Sequence, residues 1–197
     1  MSAKPPPPIP TGLNFEWPFP KKPSLFYKIK SRLTLSLVYL TSKTLFCGLN
    51  KMVVRNKQTF LNLLEDTSKP LITVSNHRSN VDDPLFWHVF SFREFFRNID
   101  RWRYTLTAHN ICFTKPLHTY FFSLVDFCID ALSKNGWVHM FPEGKVTKVG
   151  IARLISESKT PPTLLPIWFN GMREVWPESP PYYPRIGKVV EVVVGAR

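Results

Sequence analysis

Pro70-Leu71-Ile72-Thr73-Val74-Ser75-Asn76-His77-Arg78-Ser79-Asn80-Val81-Asp82-Asp83-Pro84 is the stretch on which the fold turns. Leu71 to Val74 is a short apolar run with three β-branched residues. Pro70 precedes it and polar residues follow, the pattern of a buried strand. Asp83-Pro84 then reads as a helix start. Asp83 suits the N-cap, and Pro84 suits the first helical position, where a missing N–H costs nothing. A strand that feeds a helix through a short loop is the unit of an α/β sheet.

The same alternation extends outward in both directions. Phe60, Leu61 and Leu64 give a short amphipathic helix before Pro70. Leu106 to Phe113 is predicted as a strand, and Asp126 to Lys134 as a helix closed by Asn135-Gly136. Trp137 to Phe141 is a strand, Ile151, Leu154 and Ile155 mark a helix, and Thr163 to Trp168 and Lys188 to Val194 are strands. The expected class is α/β, a central and mostly parallel sheet flanked by helices. Pro166 marks its strand as an edge or a bulge, because proline lacks a ladder donor.

Upstream the chain changes character. Residues 1–23 hold eight of the 19 prolines, so they are expected as an extended, basic leader. Its end, Trp17-Pro18-Phe19-Pro20-Lys21-Lys22, mixes rings and cations as a membrane–water interface does. The leader does not read as a secretory signal, because prolines stand where an apolar core should form. Residues 24–49 are predicted as a helix, with Leu33, Leu37, Leu40 and Thr44 at helical spacing. Lys28, Lys30 and Arg32 precede this run and Lys43 interrupts it. Two readings stand here, a helix lying in a membrane interface and an ordinary core helix. Residues 50–197 form the α/β domain.

Composition narrows the function classes. The 197 residues carry a net charge of +12 and are 44% hydrophobic, too apolar for a disordered polyelectrolyte. Cys47, Cys112 and Cys128 include no CxxC pair, which excludes a disulfide framework and a zinc finger. No uncharged stretch is long enough for a plain transmembrane helix. Within residues 1–60, ten Lys/Arg face only Glu16, and the remainder is nearly neutral. A basic head on a neutral body points to an anionic partner surface. Nucleic acid is the weaker choice, because the folded body lacks interleaved aromatic and basic residues.

Three short constellations carry chemistry. His77 stands just past a strand's carboxyl end, where α/β sheets place their sites. Asp82 lies five residues on, so its carboxylate can fold back onto the imidazole. That pair fits general-base work, the carboxylate setting the tautomer while the other ring nitrogen takes a proton. The alternative is a loop histidine with Asp82 and Asp83 both serving the helix start. Phe141-Pro142-Glu143-Gly144 closes a second strand and can reach the same sheet edge, with Glu143 as an acceptor for a substrate hydroxyl; alone it also reads as a turn. Leu164-Leu165-Pro166-Ile167-Trp168 is the third. Nucleophile-elbow, P-loop and GxGxxG patterns are absent. His88, His109, His118 and His139 have no metal spacing and read as structural or surface residues. Lys115 reads as a solvated lysine.

Taken in order, these blocks resemble the glycerolipid acyltransferase family. Asn76 to Asp82 matches its His-x4-Asp motif, Phe141 to Gly144 its second block, and Leu165-Pro166-Ile167 its last. The resemblance covers most of residues 13–195. Lys145-Val146 follows the second block where many acyl-CoA-using members have Thr-Arg. The resemblance is therefore to members that move acyl chains between phospholipids without CoA. It implies the family's fold, and transfer from a phospholipid to a lysophospholipid in cardiolipin remodelling. His77 and Asp82 would be catalytic, and Phe141, Pro142, Glu143, Gly144 and Lys145 would bind the acceptor. No metal or other cofactor is implied. The implied setting is a mitochondrial membrane, held peripherally at an anionic, cardiolipin-bearing surface. Two departures accompany the match. No arginine lies between Arg103 and Lys145, where the family carries one suited to a lipid phosphate, and the chain stops where relatives continue into helix. A shortened form with a loose acceptor site is expected on that basis. A lipid-binding protein of the same fold with weak or no activity is the rival reading.

Overall fold

The computed structural model describes residues 24–79, 81–83, 85–101, 103–106, 128–142 and 147–195. The leader 1–23, most of the expected strand Leu106–Phe113, and Lys115, His109, His118 and Cys112 lie outside them. So do Glu143, Gly144 and Lys145.

Among the described residues six strands form one sheet: β1 (Lys51–Arg55), β2 (Leu71–Ser75), β3 (Arg103–Leu106), β4 (Trp137–Met140), β5 (Thr163–Asn170) and β6 (Val189–Val194). Their order is β1-β6-β5-β2-β4-β3. Every neighbouring pair is parallel except β5–β6, which is antiparallel. The expected mostly parallel sheet is therefore present. The helices are α1 (Leu25–Lys43), continued by a π-helical turn at Thr44–Gly48, then α2 (Lys57–Glu65) and α3 (Phe92–Asn98). After these come α4 at residues 128–133, α5 (Thr147–Ser156) and α6 (Met172–Val175).

Helices cover the sheet on both faces. On one, Tyr39 and Phe46 of the first helical segment, Phe60 and Leu64 of α2, and Phe95 of α3 pack with Trp137, Leu165, Ile167 and Phe169. On the other, Cys128 and Leu132 of α4 and Leu154 of α5 pack on Ile72, Val138 and Met140. β2 lies between both layers, which is why its residues are almost continuously apolar. Burial also pushes the Cys128 thiol up to about 12, so it behaves as a small hydrophobe. Asn135 takes the left-handed conformation after α4, and the Gly136 N–H donates to Ala131 O at 2.9 Å. A Cβ at Gly136 would sit 2.7 Å from that oxygen, so the predicted Asn-Gly stop needs its glycine.

Two local expectations are corrected. Asp83 does not cap an α-helix: residues 81–83 and 85 are turn, and a 3-10 turn, Phe86–Val89, follows. Its carboxylate is drawn instead to Arg103 and Thr105. The α-helix comes later, as α3, whose Ser91 and Glu94 form a reciprocal capping box. Pro166 is neither edge nor bulge, since β5 runs between β2 and β6. Proline is tolerated there because the β5–β6 ladder begins at Ile167–Val194. The Pro166 carbonyl accepts from Gly195 N–H at 2.8 Å, so its absent N–H falls on the side where β6 runs out.

α1 has two unlike faces. Tyr39 and Ser42 are buried against the domain, while Phe26, Ile29, Leu33, Leu37 and Leu40 are exposed at spacings of three or four residues. Leu33 and Leu37 are each 67% exposed. No described helix is long and apolar enough to cross a membrane.

Candidate active site

The parallel pairing of β2 with β4 decides the site. Val74 stands beside Met140, so both strands end at one edge of the sheet. The residues just beyond them, Asn76 and His77 on one side and Phe141 on the other, therefore meet. The Phe141 ring stacks on His77 at a centroid distance of 4.4 Å. Phe141 is buried, and its ring supports the imidazole. Pro142 follows it at the same edge.

Asp82 folds back onto the ring as its spacing allows. His77 Nδ1 lies 3.1 Å from Asp82 Oδ2. The His77 side chain is 31% exposed and that of Asp82 fully buried. The same carboxylate oxygen accepts the backbone N–H of Arg78 at 2.5 Å and of Ser79 at 2.7 Å. Two amide donors fix the buried carboxylate oxygen in place opposite the imidazole. With Oδ2 as acceptor, Nδ1 carries the proton, and the lone pair belongs to Nε2.

The loop is anchored at its start by Asn76. Its side-chain amide donates to Phe169 O and its oxygen accepts from Phe169 N–H, both at 2.7 Å. Asn76 thus pairs with β5 as a strand residue would. Ser79 Oγ donates to Trp176 O at 3.1 Å. Sequence reasoning missed both anchors. Asparagine directly before the histidine was the only signal, and its partner lies 93 residues away.

Beneath the site is a buried polar chain. Trp137 Nε1 donates to Thr73 Oγ1 at 2.8 Å, and Thr73 Oγ1 lies 2.7 Å from His139 Nδ1. His139 Nε2 reaches Ser75 Oγ at 3.2 Å. The indole can only donate, so Thr73 Oγ1 accepts from it, and the His139 tautomer sets which partner donates in the other two contacts. Burial, then the charges of Arg103 and His77, hold the His139 pKa well below its ordinary value. His139 meets the Phe141 edge at 4.8 Å. His88 is also buried and structural, stacked on Phe46 with Nδ1 on Leu85 O. Among the described residues no cluster of three potential metal ligands occurs.

Residues 51–129 match the family model described as Acyltransferase. The chain is 35% identical to the tafazzin of Drosophila melanogaster, over 95% of this chain and 58% of that protein. Residues 51–129 thus resemble the acyltransferase family, and the chain is similar to the tafazzins over most of its length. It is also 32% identical to the protein named "Taffazin" of Dictyostelium discoideum, over 75% of this chain and 60% of the other. The N-acylphosphatidylethanolamine synthase of Arabidopsis thaliana is 34% identical, over 74% and 62%. The chain thus spans about three-fifths of the length of these relatives. Among solved structures, the 1-acyl-sn-glycerophosphate acyltransferase PlsC of Thermotoga maritima superposes with a TM-score of 0.53 at 16% identity. It covers 85% of this chain and 70% of that one, a likeness of fold alone.

Proposed function

We propose that the chain transfers an acyl group from a phospholipid to a lysophospholipid, without CoA, in the remodelling of cardiolipin. The observation that carries this reading is the 3.1 Å contact between His77 Nδ1 and a buried, amide-held Asp82 carboxylate. It stands at the C-terminal edge of a parallel sheet, in a chain similar to the tafazzins. His77 Nε2 takes the proton of the acceptor's free hydroxyl as its oxygen attacks an ester carbonyl of the donor. Asp82 supports the imidazolium that forms. The tetrahedral intermediate collapses by breaking the donor's ester C–O bond. The departing oxygen recovers the proton from Nε2, leaving a lysophospholipid and a newly acylated product. General-base action of this kind contributes about 10²–10⁴-fold. Glu143, Gly144 and Lys145 would place the acceptor's glycerol end, beside Pro142.

The exposed stripe Ile29–Leu33–Leu37–Leu40 of α1 is proposed to lie in the membrane interface, with Lys28 and Lys30 at headgroup level, whereas Lys43 donates to the His88 and Phe90 carbonyls of the domain. A mitochondrial membrane rich in cardiolipin fits this peripheral attachment, since each basic residue near an anionic surface adds about 1 kcal/mol.

The test mixes the protein with labelled phospholipid and unlabelled lysophospholipid in vesicles, without CoA. Label in the acceptor, absent with His77→Ala, is the expected result. Label transfer undiminished in His77→Ala would overturn the base assignment. Binding to the vesicles without any transfer would favour the rival, a lipid-binding protein of the same fold.

A further inference from the structure

β3 reaches the candidate site through a buried arginine that the proposed chemistry does not use. The Arg103 side chain is only 3% exposed. Its Nη2 donates to both the backbone oxygen and the Oδ1 of Asp83, each at 2.6 Å. Thr105, two residues on and on the same face of β3, donates from Oγ1 to Asp83 Oδ1 at 2.8 Å. The guanidinium also lies over Phe86 at 4.3 Å, with Trp87 and Trp137 around it at 5.3 and 5.9 Å. Burial lowers its pKa to about 10 against the raising effect of Asp83, so it stays charged near neutrality.

Asp83 is joined by one peptide bond to Asp82. The loop that carries the His77–Asp82 pair is thus held at three places. Asn76 ties it to β5, Ser79 to the chain after α6, and Asp83 to β3. The first two precede Asp82, and the third follows it directly. A carboxylate that must face an imidazole needs a fixed backbone on both sides, because a misplacement of about 1 Å can cost ~100-fold in rate. A flexible point charge would leave Asp83 free to swing, whereas Nη2 of the packed, planar guanidinium and the Thr105 hydroxyl fix both its carboxylate oxygen and its carbonyl.

We propose that Arg103, with Thr105, is a positioning residue: through Asp83 it sets the place of Asp82 relative to His77. This rests on the reading of His77 and Asp82 as the proton-transfer pair. The pin itself is a matter of geometry, so it can be measured without activity.

The experiment uses the full chain with ¹⁵N-labelled histidine, and compares Arg103→Lys and Thr105→Val with the parent. The readout is the downfield Nδ1–H resonance of His77, assigned by its absence in His77→Ala. Acyl transfer in mixed vesicles is measured alongside, as kcat and as KM for the lysophospholipid. In Arg103→Lys the resonance is expected to broaden or vanish, and kcat to fall about 10- to 100-fold with KM unchanged. Thr105→Val removes a single hydroxyl and keeps the shape. It should shift the same resonance and lower kcat several-fold. If Arg103→Lys does not fold, Thr105→Val decides alone. A folded variant with the parent's resonance and kcat overturns the proposal, as does a loss that appears only in KM. If the parent transfers no acyl group, the functional reading fails, and the resonance still decides whether β3 places Asp82.

Discussion

The Phe141 ring lies on the His77 imidazole, centroids 4.4 Å apart and planes inclined by 28°. Its edge meets the neutral, buried ring of His139. The face of His77 is therefore set by a hydrophobic side chain, and its in-plane rotation by Asp82. Phe141→Leu keeps the apolar volume but removes the flat support. It should fold with a loss of about 1 kcal/mol. Acyl transfer should fall about tenfold in kcat, checked in the mixed-vesicle assay. An unchanged kcat would show that Asp82 alone orients the ring.

Asp82→Asn tests the charge. The Arg78 and Ser79 amides and His77 Nδ1 all meet one carboxylate oxygen, so the new amide oxygen takes its place there as a neutral acceptor. The imidazolium that forms during transfer then has no negative charge beside it. A loss of about 10²–10⁴-fold in kcat is expected, with KM little changed. Thermal unfolding should record a drop of about 2 kcal/mol from weaker charge-assisted bonds.

Asn76→Ala probes the anchor on β5. The substitution leaves the Phe169 N–H and C=O without partners in a buried strand. Each orphaned group costs about 1–3 kcal/mol, so a total near 3 kcal/mol is expected from urea unfolding. A change under about 0.5 kcal/mol would mean that the loop is held mainly elsewhere.

Stability should fall on acidification. The folded His88 pKa is lowered to about 4, chiefly by burial, against 6.5 for the unfolded residue. The unfolded chain binds the proton more readily, so this contribution is complete above pH 6.5 and is lost as pH falls toward 4. The loss reaches roughly 3 kcal/mol. His139 acts in the same direction. His88→Phe keeps the stack on Phe46 and should flatten this part of the unfolding free energy between pH 7 and 4. An equally steep acid limb in that variant would assign the effect to other groups.

Leu33→Asp with Leu37→Asp addresses the membrane face. Both side chains are exposed, so folding stability should change by less than about 0.5 kcal/mol per site. Burying two leucines in the interface is worth about 3–6 kcal/mol, so sedimentation with cardiolipin-containing vesicles should drop at least ~100-fold. High salt should weaken binding of the parent without abolishing it. Binding by the variant equal to the parent's would assign attachment to another surface.

How much was legible in the residues varies with how local the cause is. The β2 run, the α1 segment and the Asn-Gly stop after α4 were readable because each depends on near neighbours. So was the return of Asp82 onto His77, a five-residue loop with few ways to close. The capping box of Ser91 and Glu94 was equally local, yet the stronger-looking Asp83-Pro84 signal drew the helix start eight residues too early. Glu143, Gly144 and Lys145 remain at the level of a motif.

The sequence by itself determined an α/β chain with a His-x4-Asp loop at a strand end and a basic, two-faced helix before it. Those features follow from periodicity, charge and short-range sterics. Tertiary structure alone decided that Asp83 answers to Arg103 rather than to a helix, and that Asn76 completes β5. It also decided that Pro166 sits in an interior strand and that Phe141 lies on His77. In each case the partner comes from a distant part of the chain. Strand order and register bring it there, and a side chain with several possible hydrogen bonds takes the one that burial makes costly to leave unmade.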